Sequence, residues 1–158
     1  MTVEERHVKK GMLHASMVGF IIAMMLVLCV PGNGFCGSSN DPEKTALLEA
    51  VRNFLDAEVR RDYPAIYACF AASSPYAQSH SYEQYLAEVQ ALPYRIIEYR
   101  IVSVSYIQDN EESVKFPAIE KIAQVEVELK FLHADTQDLS EINIGFVFFK
   151  ERGRWYKS

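Results

Sequence analysis

The sequence predicts an α+β domain, and three observations carry that prediction. Apolar residues recur at helical spacing from about Asp41 to Leu92. At Pro93 the period changes from 3.6 to 2, and β-branched and aromatic residues take over. The helices precede all the strands, so the strands form an antiparallel meander with the helices packed on one face, rather than alternating β-α units.

Asp41 caps the first helix and Pro42 occupies its first position. Leu47, Val51, Phe54, Leu55 and Val59 share one face, and Arg60-Arg61 suits the negative end of the helix dipole. Asp62 reads as a second cap; a catalytic base is the other role a carboxylate there can be given. The short helix behind it carries Ile66, Tyr67 and Phe70, and Ser73-Ser74-Pro75 is expected to end it. Ser81 and Gln84 form a capping-box pattern for a third helix with Tyr82, Tyr85, Leu86 and Val89 on its apolar face. Pro93 stops that helix by pushing Leu92 out of the helical region.

The first strand covers Tyr94 to Ile107. Ile97, Tyr99 and Ile101 alternate onto one face, and Val102, Val104 and Tyr106 follow in the opposite phase. A β-bulge near Ile101-Val102 reconciles the two halves. Glu98 and Arg100 are expected to form an outward pair. After a polar loop from Gln108 to Lys115, Ala123, Val125, Val127, Leu129 and Phe131 alternate with Gln124, Glu126, Glu128 and Lys130, as in a half-solvated strand. Ile142, Ile144, Phe146 and Phe148 mark a third strand. Glu151 to Arg154 turn into a short last strand, Trp155 to Lys157. The expected core is Phe54, Leu55, Phe70, Leu86, Val127, Leu129, Phe146, Phe148 and Trp155.

A different segment precedes this domain. Met17 to Val30 is an unbroken run of 14 apolar residues or Gly, preceded by Arg6, Lys9 and Lys10 and broken by Pro31-Gly32-Asn33-Gly34. It is too short to cross the ~30 Å hydrocarbon layer comfortably, and it suits the apolar region of a signal peptide. An uncleaved anchor is the alternative, since Ala15 and Ser16 extend the run and Glu4 and Glu5 are atypical of a signal peptide. A buried core helix fits less well, because the run has no caps and no polar face. Gly34 and Cys36 put small residues where a signal peptidase cuts, before Gly37. Lipidation of Cys36 is the other outcome, and Phe35 argues against it. The expected organisation is therefore a signal peptide or membrane anchor over 1–36, a linker over 37–44 and the folded domain over 45–158. Membrane contact then runs only through the N-terminal segment, and the domain lies in the periplasm or cell envelope, or is secreted.

Composition narrows the function classes. The 158 residues carry 16 basic and 21 acidic side chains, a net charge of −5. Without residues 1–36 there remain 13 basic and 19 acidic. That balance argues against a nucleic-acid partner. Arg152, Arg154 and Lys157 beside Trp155 and Tyr156 offer a base-stacking reading, but a solvated hairpin end with one buried aromatic describes them better. After Cys36 the only glycines are Gly37, Gly145 and Gly153, too few for a phosphate-cradling loop. Cys69 alone cannot staple the domain. His80 and His133 have no second ligand at metal spacing, so neither metal nor cofactor is expected.

From about Thr45 to Ser158 the chain resembles the NTF2-like, or cystatin-like, superfamily of α+β cone folds. The resemblance rests on the long first helix, on Arg61-Asp-Tyr-Pro-Ala-Ile-Tyr67, and on Phe148-Phe-Lys-Glu-Arg-Gly-Arg-Trp-Tyr-Lys157. It is nearest to small exported or membrane-anchored members without assigned function. It implies a bent sheet curling around the helices with a cavity between them. Tyr67, Tyr85, Tyr99, Phe131 and His133 are then expected around a mostly apolar pocket. Such a pocket suits a small apolar molecule, and the sheet or cavity suits an envelope protein or a second copy of the chain, without catalysis. The alternative is a cavity enzyme of hydratase, isomerase or hydrolase type. It would use His133 with Tyr99, or His80 with Tyr82 and Tyr85, as a general base.

Overall fold

The computed structural model describes residues 41–158. The apolar run, Cys36 and residues 37–40 of the expected linker lie outside the described residues, and residues 41–44 of that linker form the cap and first turn of a helix. Among the described residues no helix is long and apolar enough to cross a membrane.

Helix α1, Pro42–Arg60, starts as its sequence dictates: the Asp41 side chain accepts from the Glu43 N–H at 2.9 Å, and Pro42 needs no donor there. Leu47, Val51, Phe54, Leu55 and Ala57 are buried. Arg61 ends the helix in the left-handed region, at φ 58°. Helix α2, Tyr63–Ala68, has Asp62 as its cap, accepting from the Ala65 N–H at 3.3 Å. Asp62 is thus committed to the helix start.

One helix is additional to the sequence reading. Ser74 caps α3, Pro75–Ser79, accepting from the Ala77 N–H at 3.1 Å. Ser-Pro is a stop signal for the helix before it and a start signal for the next, and five residues are too few to show a period. Helix α4, Tyr82–Gln90, carries the expected capping box. The Ser81 N–H donates to Gln84 Oε1 at 2.8 Å and the Gln84 N–H to Ser81 Oγ at 3.4 Å.

The strands β1 (Tyr94–Asp109), β2 (Lys121–His133), β3 (Leu139–Glu151) and β4 (Arg154–Lys157) form one antiparallel sheet in the order β1-β2-β3-β4. The bulge expected at Ile101-Val102 is present, between Ile101 and Ser103. Two more register shifts lie between Ile96 and Glu98 and between Val104 and Tyr106. Each bulge adds bend and twist to β1. They also change which residues face inward. Ile96, Tyr99, Ile101, Val104 and Ile107 pack toward the helices. Val102 and Tyr106, expected inward, are 44% and 37% exposed.

The core joins helices to sheet through Leu47, Val51, Phe54, Leu55, Ile66, Tyr85, Ala123, Val125, Val127, Leu129, Phe148 and Trp155. Phe70 and Phe146 pack against it half-buried. Leu86, expected inside, is half-buried and outside the cluster, because α4 turns Tyr85 inward instead.

Polar side chains fix the layers. Glu43 accepts from Lys150 Nζ and from Trp155 Nε1, both at 2.9 Å. This anchors the start of α1 to β3 and β4, and makes Trp155 a structural residue rather than a stacking platform. Glu151, 8% exposed, accepts from the Ser73 N–H at 3.2 Å and from the Ser73 hydroxyl. The backbone of Lys157 donates to the Cys69 carbonyl at 2.7 Å and accepts from the Ala71 N–H at 2.7 Å, so β4 also holds the chain after α2. On the solvent face, Glu98 meets Lys130 at 3.0 Å and Arg100 meets Glu128 at 2.6 Å. Both face outward as expected, but each pairs across to β2 rather than with the other.

Candidate functional site

The helices cover only part of the sheet. The α1 cover reaches Tyr99, whose hydroxyl donates to Asp56 Oδ1 at 2.7 Å. Past that bond the helix-facing surface continues over the start of β1, the end of β2 and the start of β3. Register places Tyr94 opposite His133, Ile96 opposite Phe131, Phe131 opposite Ser140 and Leu129 opposite Ile142. Tyr94 and Ile142 are 40% and 45% exposed, and Phe131 and His133 are half-buried. The Tyr94 ring stands edge-on to Phe131 with centroids 5.2 Å apart, and 6.3 Å from the His133 ring. His133 Nε2 lies 2.9 Å from Ser140 Oγ. The result is a shallow aromatic and aliphatic floor with one polar pair at its rim.

The five residues expected around one pocket therefore divide three ways. Phe131 and His133 share the open floor. Tyr99 stands at the boundary, bonded to α1; burial, then the bond to Asp56, push its hydroxyl up to about 12. Tyr67 and Tyr85 belong to a helical aromatic cluster. Their rings lie 5.5 Å apart, with Phe70, Tyr76 and Tyr82 around them. Tyr67 donates to the His80 carbonyl at 2.7 Å. Two recesses, of 130 and 90 Å³, occur elsewhere, and neither is lined by Tyr67, Tyr85, Phe131 or His133.

The other candidate histidine has partners that were not foreseen. His80 lies face to face with Tyr76, centroids 4.2 Å apart at 10°. Its Nε2 is 3.3 Å from Glu88 Oε1, and Tyr76 donates to Glu88 Oε2 at 2.7 Å. Its Nδ1 is 3.2 Å from the Tyr76 carbonyl and 2.9 Å from Ser79 Oγ, which itself donates to the Pro75 carbonyl at 2.7 Å. Nε2 thus faces the Glu88 carboxylate while Nδ1 faces the Tyr76 carbonyl and Ser79 Oγ, and the group acts as a clasp between α3 and α4. Its sequence signal was the four-residue spacing of Tyr76 and His80, invisible without α3.

Two half-buried charged side chains were also missed. Burial lifts the Glu58 carboxyl from its ordinary 4.5 to about 7. Burial, reinforced by the charge of Glu58, pushes up both the Cys69 thiol and the Tyr85 hydroxyl. Among the described residues the buried Tyr85 hydroxyl has no hydrogen-bond partner. Burial pulls the Lys157 ammonium down to about 8. Glu58 follows Phe54 by four residues and Lys157 follows Trp155 by two, so each continues an apolar face. No group of three or more His, Cys, Asp or Glu side chains suited to a metal occurs among the described residues.

Helices packed on the inner face of a bulged four-stranded antiparallel meander form an α+β arrangement. No family model and no curated protein matches the sequence. Solved structures do resemble it. A protein of unknown function with a cystatin-like fold from Nostoc punctiforme is 15% identical, with 72% of this chain and 84% of that chain covered, at a TM-score of 0.47. A ketosteroid isomerase-like protein from Erwinia carotovora atroseptica is 17% identical, with 75% and 92% covered, at 0.47. An NTF2-like protein of unknown function from Prochlorococcus marinus is 14% identical, with 72% and 86% covered, at 0.47. Two of the three are described as of unknown function and one as isomerase-like.

Proposed function

We propose that the domain binds a small apolar or aromatic molecule on the open helix-facing end of its sheet, and that it does so after export to the cell envelope or beyond. The observation that carries this reading is the floor on which half-buried Ile96 and Phe131 lie beside exposed Tyr94 and Ile142. A floor of aromatic and aliphatic side chains with few polar groups gives up water readily to an apolar ligand. His133 and Ser140 at its rim supply one oriented polar contact, enough to fix the pose of a ligand bearing a single hydroxyl or carbonyl. The export part of the reading rests on the run from Met17 to Val30 and its flanks.

Native mass spectrometry of the protein purified from its own host, beside its Phe131→Ala and His133→Ala variants, tests the reading. A co-purifying molecule lost from Phe131→Ala, with the fold intact by circular dichroism, supports it. Retention of that molecule in both variants places binding elsewhere. A reaction abolished by His133→Ala replaces the binding reading with a catalytic one.

A further inference from the structure

The loop between β1 and β2, residues 110–120, is built around one side chain. Asn110 Nδ2 donates to the carbonyls of Phe116 and Ile119, both at 2.9 Å, and Asn110 Oδ1 accepts from the Glu112 N–H at 3.0 Å. The Glu112 carbonyl accepts from the N–H groups of Lys115 and Phe116, both at 2.9 Å. Ile119 is buried, and the Asn110 N–H donates to the Glu120 carbonyl at 3.1 Å, which closes the loop onto the sheet. These bonds order the backbone on both sides of an apolar tip. Val114 is 99% exposed and Phe116 40%. Lys115 stands between them, its ammonium 4.9 Å from the Phe116 ring centroid. Neither apolar side chain joins the core or packs against it.

The tip stands at the end of the domain where the chain enters. Asp109 and Lys121, which flank the loop, meet at 2.6 Å. Register sets Lys121 opposite Lys150, and Lys150 bonds Glu43 in the first turn of α1. The bond to Asp109, with the charges of Glu43 and Asp41 behind it, holds the Lys121 ammonium above its ordinary range. Asp41 therefore lies at the foot of the loop. Ten residues, 31–40, separate it from the apolar run Met17 to Val30, so a run retained as an anchor holds this end of the domain within about 35 Å of a bilayer. The floor of Tyr94, Phe131 and His133 lies at the other end of the same two strands.

We propose that Val114 and Phe116 insert into the interfacial layer of a lipid bilayer and orient the domain on it, the apolar run serving as the retained anchor. Two protruding apolar side chains need no matching surface in lipid, whereas a protein partner holds so small a knob only within an interface of roughly 1,000 Å² or more. Among the described residues neither recess is lined by a residue of the loop. A backbone already ordered loses little further freedom on insertion. Lys115 reaches the headgroups while its stem follows the Phe116 ring inward. The loop carries Glu111, Glu112 and Glu120 against Lys115, so charge supplies no pull toward anionic lipid and the apolar side chains carry the insertion. With the tip in the bilayer, the floor at the opposite end stays open to solvent, and ligand binding there stands or falls independently.

Quenching of tryptophan by brominated lipid tests the proposal. The full chain carrying Val114→Trp is reconstituted with dioleoylphosphatidylcholine vesicles, with and without bromine on the acyl chains. Two references run beside it: Ala134→Trp, exposed in the turn at the other end of the sheet, and the wild type, whose Trp155 is buried. The expected result is quenching of Val114→Trp about twofold or more above that of Ala134→Trp, falling back toward the reference when Phe116→Ser is added. Both altered side chains at the tip face solvent, and circular dichroism checks that the fold is kept. Quenching at 114 no greater than at 134, or undiminished by Phe116→Ser, overturns the proposal. Vesicle flotation reads the anchor separately: flotation without quenching at 114 overturns the tip alone, and loss of both overturns tip and anchor together.

Discussion

Replacing Glu58 by Gln removes a carboxyl that burial perturbs on α1 and keeps its shape. The carboxyl titrates near 7 in the folded chain against an ordinary 4.5, through burial. Between those values the native state binds more protons than the unfolded state, so stability falls as pH rises across the window. At ~1.4 kcal/mol for each tenfold change in proton concentration, the full effect is about 3 kcal/mol. That is a large share of the 5–15 kcal/mol typical of a domain, roughly speaking. Glutamine has nothing to titrate. Glu58→Gln is therefore expected to match the wild type at pH 4.5 to within about 1 kcal/mol and to exceed it by about 2–3 kcal/mol at pH 8. Urea unfolding of both proteins at half-unit steps from pH 4.5 to 8.5 measures the difference directly, and contributions from the other titrating groups cancel in it. A difference that stays constant across the series refutes the reasoning. A second readout follows from the same charge: Cys69 should react faster with iodoacetamide at pH 8 in the variant, because Glu58 no longer opposes its thiolate.

Phe148→Ala should cost about 3–5 kcal/mol by thermal or urea unfolding, since the ring is 1% exposed and meets Phe54 edge-on at 6.4 Å; a loss under about 1 kcal/mol would show that the inward phase of β3 is misassigned. Tyr85→Phe should leave the fold intact and raise stability by about 1 kcal/mol, because it deletes a buried hydroxyl that has no partner among the described residues. A loss of more than that amount would show that the hydroxyl is bonded in solution.

The elements were legible wherever local chemistry decides them. Asp41-Pro42, Asp62 and the Ser81–Gln84 box each satisfy the free N–H groups of a helix start, and each does so in the structure. The alternation in β2 was equally plain, because one of its faces is wet. The phase of β1 was only partly legible. One bulge was visible as a change of apolar phase at Ile101-Val102, whereas the two others emerge only from pairing with β2. The site fared worse for the same reason. Whether Tyr67 and Tyr85 line a cavity or fill it depends on how closely α4 approaches α2, a distance that no spacing along the chain encodes. Glu58 and Lys157 were legible as charges in apolar phase, but such a position reads as a long side chain reaching to solvent until its burial is known.

The bonds that close the domain span almost its whole length. Glu43 waits for Trp155, more than a hundred residues later, and the segment after α2 waits for the backbone of Lys157. During synthesis the hairpin of β1 and β2 has its partners early, but α1 lacks its anchor until the last strand is complete. Closure of the domain therefore waits until β4 has been made, although its earlier elements are complete by then.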